Sequence, residues 1–247
     1  PPRPLAAVVA VALSFNGTTQ AVMMASPADL TDFAYGFALT EGIATPDQIE
    51  SVDVQPAGQG IDVQVWLTGD AEARLAARRR TMAGPVGCGL CGIDSIEQAM
   101  RPVAQIAPSA FRMTPEQVMQ AVSALTGRQP LHDVTRAAHC AAFWTADGLI
   151  AAREDVGRHN ALDKLAGHLI RAGSPQGAVV LTSRVSIDMV QKVCALGAPI
   201  LIAVSAPTAH AVDLAEEAGL TLIALARPDR FEVFTHSDRL MESAHVR

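Results

Sequence analysis

The second half of the chain alternates short unbroken apolar runs with amphipathic stretches. Runs at 178–182, 199–204 and 220–226 read as strands buried on both faces, separated by helices at 185–197 and 208–218. Upstream, 138–145 and 148–153 read as strands joined through Asp147-Gly148, followed by a helix at 157–171. A last strand is expected near 231–235. This order predicts a three-layer α/β/α domain.

The first half has a different pattern. The apolar stretch Leu5 to Leu13 leads into Ser14-Phe15-Asn16-Gly17-Thr18, and Asn-Gly between apolar runs predicts a hairpin. That stretch is read as a strand of the mature protein and not as a signal-peptide core. Ser26-Pro27-Ala28-Asp29 predicts a helix start, with Ser at the N-cap, Pro at N1 and an acid at N3, and a stop near Gly42. Val52-Asp53-Val54 and Ile61 to Trp66 alternate with period two and read as half-buried strands. Residues 70–80 are helical in composition, and Asp94-Ser95-Ile96-Glu97 caps a short helix. Pro102 and Pro108 mark a boundary, after which Thr114-Pro115-Glu116-Gln117 opens a helix to about Leu125. The expectation is a small mixed α+β unit over 1–107, followed by the α/β domain over 108–247.

Composition narrows the function. A net charge of −6 and a pI of about 5.6 argue against a nucleic-acid surface. The longest apolar runs, Leu5 to Leu13 and Ala195 to Ala206, are too short to span a bilayer. Four cysteines are too few for a disulfide scaffold and fit a reducing compartment, so a cytoplasmic protein is expected.

Two of those cysteines stand in Gly87-Cys88-Gly89-Leu90-Cys91-Gly92, a segment too glycine-rich for a regular element. Such a loop suits thiols that exchange sulfur or electrons with a visiting partner. A thioredoxin-like motif places its first thiol at a helix start, but the cap here, Asp94 or Ser95, comes at least six residues after Cys88. A structural zinc site needs four ligands, and no second CxxC or His pair exists; His139 with Cys140, or Cys194, would complete one only by tertiary coincidence. No metal site is therefore expected. Cys140 and Cys194 lie on apolar elements and read as core residues. Arg78-Arg79-Arg80 reads either as a solvated helix end or as an anion clamp near the thiols.

Polar clusters fall where strands give way to helices. Arg153 to Asn160, Thr182 to Ser186, Ser205 to Thr208 and Ala226 to Arg230 are four such junctions in succession. Helix starts there offer free N–H groups, and arginines offer paired donors, a combination suited to an anionic, nucleotide-like ligand. Arg158, His159, Ser183, Arg184 and Arg230 are the candidate contacts. His159 reads as a hydrogen-bonding anchor, His139 as a core or rim histidine, and Asp155 and Asp163 as capping and surface groups.

Together these segments resemble the FdhD family, the formate dehydrogenase accessory sulfurtransferases. The resemblance rests on Arg78 to Gly84 running into Gly87 to Gly92, on Arg153-Glu154-Asp155-Val156-Gly157-Arg158-His159-Asn160-Ala161-Leu162-Asp163-Lys164, on Ser183 to Ser186 through Met189 to Lys192, on Ser205 to Thr208, and on Thr235-His236. It implies a carrier that takes persulfide sulfur from a cysteine desulfurase onto the CxxC loop. The sulfur then passes to molybdenum or tungsten in a bis-molybdopterin guanine dinucleotide cofactor, which formate dehydrogenase needs for activity. It implies Cys88 as the persulfide carrier and Cys91 as its helper. It implies the formate dehydrogenase catalytic subunit as a partner, a homodimer, and GDP or a GMP-like nucleotide as a mimic of the cofactor. The family's cofactor-binding stretch falls on Leu225, Ala226, Arg227, Pro228, Asp229 and Arg230. Pro228 and Arg230 keep its pattern, whereas Leu225, Ala226 and Asp229 depart from it, and Ile187-Asp188 stands where Tyr-Glu is common. The second half is similar to the cytidine deaminase fold. Zinc deaminases carry His-x-Glu at one helix start and Pro-Cys-x-x-Cys at the next, and the second start here lacks cysteines. Two rivals to sulfur transfer remain open: a non-enzymatic cofactor chaperone, which needs neither cysteine, and a dithiol redox protein, which needs both.

Overall fold

The computed structural model describes residues 4–73, 75, 102–173 and 176–241. Two mixed sheets are joined through a pair of helices. The first sheet has the order β2-β1-β4-β3, from β1 (Val9–Phe15), β2 (Thr18–Ala25), β3 (Ile49–Ala57) and β4 (Gly60–Leu67). Strands β1 and β2 form the expected hairpin, with positive φ at both Asn16 (47°) and Gly17 (74°), as a tight primed turn requires. Strand β4 returns parallel to β1. Strand β3 was expected to be half-buried, but it forms the sheet edge and is exposed over most of its length. Period-two alternation reports the pleat, not whether a neighbour covers it.

Helix α1 (Leu30–Thr40) lays Phe33, Ala34, Phe37 and Ala38 against Val11, Leu13, Phe15, Val63 and Val65. It starts later than the sequence predicts. Its N-cap is Asp29, at φ 54° and without a side-chain cap bond, in place of Ser26. The backbone of Ser26 is held elsewhere: its N–H donates to Asp155 at 2.9 Å, and its carbonyl accepts from Lys164 at 2.9 Å. A tertiary contact overrides the local capping signal.

The second sheet has the order β10-β9-β8-β7-β5-β6. Its strands are β5 (His139–Thr145), β6 (Gly148–Asp155), β7 (Ala178–Leu181), β8 (Ile200–Ala203), β9 (Thr221–Ala224) and β10 (Glu232–Val233). Strands β7, β8 and β9 are parallel, and β5 is antiparallel to both β6 and β7. Helix α2 (Pro115–Ser123) opens with the expected capping box, Thr114 and Gln117 bonding reciprocally, and packs on one face. A short helix α3 (Pro130–Thr135), which the sequence reading did not anticipate, is capped by Glu154, whose carboxylate accepts from the amides of Leu131 and His132 at 2.8 Å each. Helices α4 (Arg158–Ala172), α5 (Ile187–Leu196) and α6 (Ala209–Ala218) cover the other face. Val103 and Ile106 also pack in the core on that face.

Helices α1 and α4 meet backbone to backbone. A Cβ on Gly36 would lie 1.7 Å from the carbonyl oxygen of Asp163, and one on Gly167 would lie 1.8 Å from that of Asp32. No side chain fits between them, so alanine at either position forces the helices apart. The layers thus run α2, six-stranded sheet, α4 to α6, α1, four-stranded sheet.

Candidate functional site

Strands β6, β7, β8 and β9 all end at one edge of the second sheet. Register pairs His139 with Asp155, Ala141 with Leu181, Leu181 with Ala203, and Ile202 with Ile223. The polar junctions read in the sequence therefore lie side by side, and α4, α5 and α6 begin there. Thr208 caps α6 by accepting from Ala211 N at 3.3 Å. Gly157 and Ser186, the N-caps of α4 and α5, make no side-chain cap bond. The first-turn amides and positive dipole ends of these two helices thus face the edge uncovered by their caps. A backbone bridge between Val185 and Pro207 fixes the second junction to the third.

Of the candidate contacts, Arg158 is half-buried at the start of α4, and its buried Nε has no hydrogen-bond partner. His159 follows it and meets the Asp188 carboxylate on the first turn of α5 through Nε2. Ser183 is buried, its hydroxyl donating to the Arg184 carbonyl at 3.0 Å, while the Arg184 side chain is exposed. Leu225, Arg227 and Arg230 line a cleft of about 260 Å³ together with Phe231 and Glu232. Leu225 sits at φ 52°, which turns the chain sharply away from β9. The Ala226 side chain is fully buried in the core under α2 and takes no part in the cleft. The Arg227 guanidinium donates to the carbonyls of Val204 and Ala226 and so ties β8 to this turn. Pro228 and Asp229 are exposed, and Asp229 pairs with Arg230 at 3.3 Å. Cys88, Cys91 and Arg78 to Arg80 lie outside the described residues.

The other two thiols are inert. Burial pushes Cys140 up to about 12, with the Glu154 charge adding to it, and burial alone pushes Cys194 to about 12. Both stay protonated and behave as the core residues the sequence suggests.

The stretch from Arg153 to Lys164 divides between the edge and the interior. Arg158 and His159 face the edge. Asp155 and Asp163, expected as capping and surface groups, are instead fully buried. Asp155 accepts from Ser26 N and Lys164 Nζ on one oxygen, and from Gly157 N and Asn160 Nδ2 on the other. Asn160 also donates to the Met24 carbonyl at 3.1 Å. Asp163 accepts from Thr40 at 2.7 Å and from Lys192, which also reaches Glu41 at 2.7 Å. Burial pulls Lys192 down, yet the charges of Asp163 and Glu41 and their hydrogen bonds hold it above the ordinary lysine value. Arg153 and Arg171 both pair with the buried carboxylate of Asp32 on α1. Each network joins α4 to the first half of the chain, so the same stretch builds the edge and fastens it to the other sheet.

Two edge residues were not singled out as contacts from the sequence. Asp188 was noted only as a departure from a family pattern; its place in the first turn of the helix next to His159 was the available signal. His139 opens β5, and its position between two junction strands emerges only from strand order.

Three histidines are held below their ordinary range. Burial is the main cause for each of His139, His159 and His168, and nearby arginines add to it. At His159, burial with Arg158 and Lys192 outweighs the opposing charge of Asp188. A depressed folded-state value means stability that is present above about pH 6.5 and lost as pH falls. The melting temperature should therefore drop between about pH 7.5 and 5.5. A rise over that window would mean that the His159–Asp188 ion pair dominates. Among the described residues no group of three or more His, Cys, Asp or Glu is placed to hold a metal ion, and no helix is long and apolar enough to cross a membrane.

These features define a mixed α/β protein in which two sheets are clasped by a helix pair and one sheet edge gathers the helix starts. The model of the FdhD/NarQ family matches residues 7–241, and the chain belongs to that family. It is 56% identical over 238 residues to the sulfur carrier protein FdhD of Agrobacterium fabrum, covering 94% of this chain and 88% of that one. It is 47% identical to the sulfur carrier protein FdhD of Cupriavidus necator over 99% of this chain and 86% of that one. A crystal structure from Desulfotalea psychrophila, described as a formate dehydrogenase accessory protein, superposes with a TM-score of 0.74 at 26% identity, covering 96% of this chain and 90% of that one.

Proposed function

We propose that this protein is a sulfur carrier that serves a formate dehydrogenase. The observation that carries the reading is the gathering of four polar junctions on one sheet edge, in a chain 56% identical to a sulfur carrier. The Cys88 thiolate attacks the outer sulfur of a persulfide on a cysteine desulfurase. That sulfur becomes the outer atom of a Cys88 persulfide, and the donor leaves as its own thiolate. Cys91 assists delivery to the molybdenum or tungsten of a bis-molybdopterin guanine dinucleotide cofactor, which is substrate and not a resident group. The cofactor's nucleotide ends lie on the edge, with diphosphate at the helix starts of α4 and α5 and arginines closing over it. Of the 225–230 stretch, Leu225 and Arg230 are the side chains suited to contact it, because Ala226 is buried and Arg227 is engaged with backbone carbonyls. The carrier works as a homodimer in the cytoplasm and hands the loaded cofactor to the dehydrogenase catalytic subunit.

GDP stands in for the cofactor's nucleotide end, so calorimetry with GDP and ADP tests this half of the reading. GDP should bind without molybdenum present, and more tightly than ADP. Equal binding of the two, or none, would remove the guanine assignment.

A further inference from the structure

His139 stands on the polar edge between the junctions that follow β6 and β7. It is the first residue of β5, which lies between β6 and β7 and runs antiparallel to both. Its backbone is level with Asp155, the last residue of β6. Strand alternation puts it on the face of Ala141 and Phe143, which pack in the core under α4, α5 and α6, while Cys140, Ala142 and Trp144 pack on the opposite face. His139 therefore comes beneath the N-terminal ends of α4 and α5.

The ring is half-buried, and no described residue hydrogen-bonds it. A neutral imidazole has one donor and one acceptor nitrogen, which find partners in protein, water or ligand. On the same edge, the buried Nε of Arg158 and the buried Oγ of Ser186 at the start of α5 also have no hydrogen-bond partner among the described residues. The charged or titratable groups acting on His139 are Arg158 and His132. The nearby carboxylates are already committed. Glu154 is occupied by the amides of Leu131 and His132, Asp155 by four donors, and Asp188 on the first turn of α5 by His159. The place thus offers donors and positive charge with no spare carboxylate, which fits an anionic oxygen and repels a cation.

We propose that His139 is a ligand-contacting residue of this edge, donating a ring N–H to a phosphoryl oxygen of the bound nucleotide. The proposal rests on the nucleotide reading above. His139 reaches the ligand from the sheet side, while Arg158 and the helix starts reach it from above. Burial and the Arg158 charge favour the neutral imidazole, which has one N–H to give.

The test is calorimetry with GDP and with inorganic pyrophosphate on the wild type, His139→Gln and His139→Phe. A hydrogen bond to a charged group predicts about tenfold or greater weakening of GDP binding for His139→Phe. Glutamine keeps a donor at similar reach and should recover most of that loss. Pyrophosphate should weaken in the same proportion as GDP. A wild type that binds GDP alongside a His139→Phe that binds it equally well overturns the role of His139 and leaves the nucleotide reading standing. Loss for GDP without loss for pyrophosphate overturns the phosphoryl contact. Absence of GDP binding by the wild type overturns both. Should phenylalanine prevent folding, His139→Gln and His139→Ala carry the same comparison.

Discussion

Cys88→Ser is expected to abolish sulfur loading while leaving the fold and nucleotide binding unchanged. Serine is nearly isosteric with cysteine but forms no persulfide. The glycines flanking Cys88 and Cys91 carry no side chains that a core would miss. No other thiol substitutes from the interior. With their values near 12, Cys140 and Cys194 are thiolate at roughly one part in 10⁵ at pH 7, about 10³-fold less than an ordinary exposed thiol. On the proposed function, sulfur chemistry is thereby left to Cys88 and Cys91. The measurement is the mass of the intact protein after incubation with a cysteine desulfurase and cysteine, beside activation of a client dehydrogenase. Cys91→Ser should still load sulfur, and Cys88→Ser should not. If Cys88→Ser loads Cys91 and activates the client at the wild-type rate, the assignment of the carrier fails. If the double variant activates the client normally, sulfur transfer itself fails and a cofactor chaperone replaces it.

The second half of the fold was legible because its signals are local. Apolar strands such as Val179 to Leu181 and Ile200 to Ala203 stand between helices whose starts carry Ser186 and Thr208, and the structure places them within a residue or two of the expected bounds. The same holds for the Asn16-Gly17 turn, where backbone conformation dictates residue type. What was not legible depends on distant partners. Asp155 and Asp163 look like ordinary loop and helix acids until Ser26 and Thr40 arrive from the other half of the chain. Ser26 carries a good capping signal and is diverted by that same contact. The site divides along the same line. Arg158, His159 and Ser183 could be placed at helix starts from the sequence alone. The place of His139 between two junctions required the strand order β7-β5-β6, which no local pattern encodes. Arg230, singled out in the sequence as a contact, is exposed on the cleft, whereas Arg227 in the same stretch is bound to backbone carbonyls.

Asp155→Ala is expected to cost about 3–5 kcal/mol of stability, because it removes the partner of a fully buried lysine. Lys164 Nζ lies 2.6 Å from Asp155 and has Ser26 O as its other partner. Without the carboxylate its charge is left with one neutral carbonyl and the Phe33 ring, 5.9 Å away. The amides of Ser26 and Gly157 lose their acceptor as well. A domain's total stability is typically about 5–15 kcal/mol, so this one change removes a large share of it. Lys164→Met should cost less, because Asp155 keeps three donors and the buried ammonium is gone. Combining Asp155→Asn with Lys164→Met should recover part of the loss, since neither charge is then stranded. Denaturant unfolding of the wild type and these three variants reads these differences as shifts of the midpoint at constant slope. The ordering matters more than any single value. If Asp155→Ala melts within about 1 kcal/mol of the wild type, the buried pair does not fasten β2 to α4. The clasp between the two sheets would then rest on the contact between Gly36 and Gly167 and on the Asp32 and Asp163 networks.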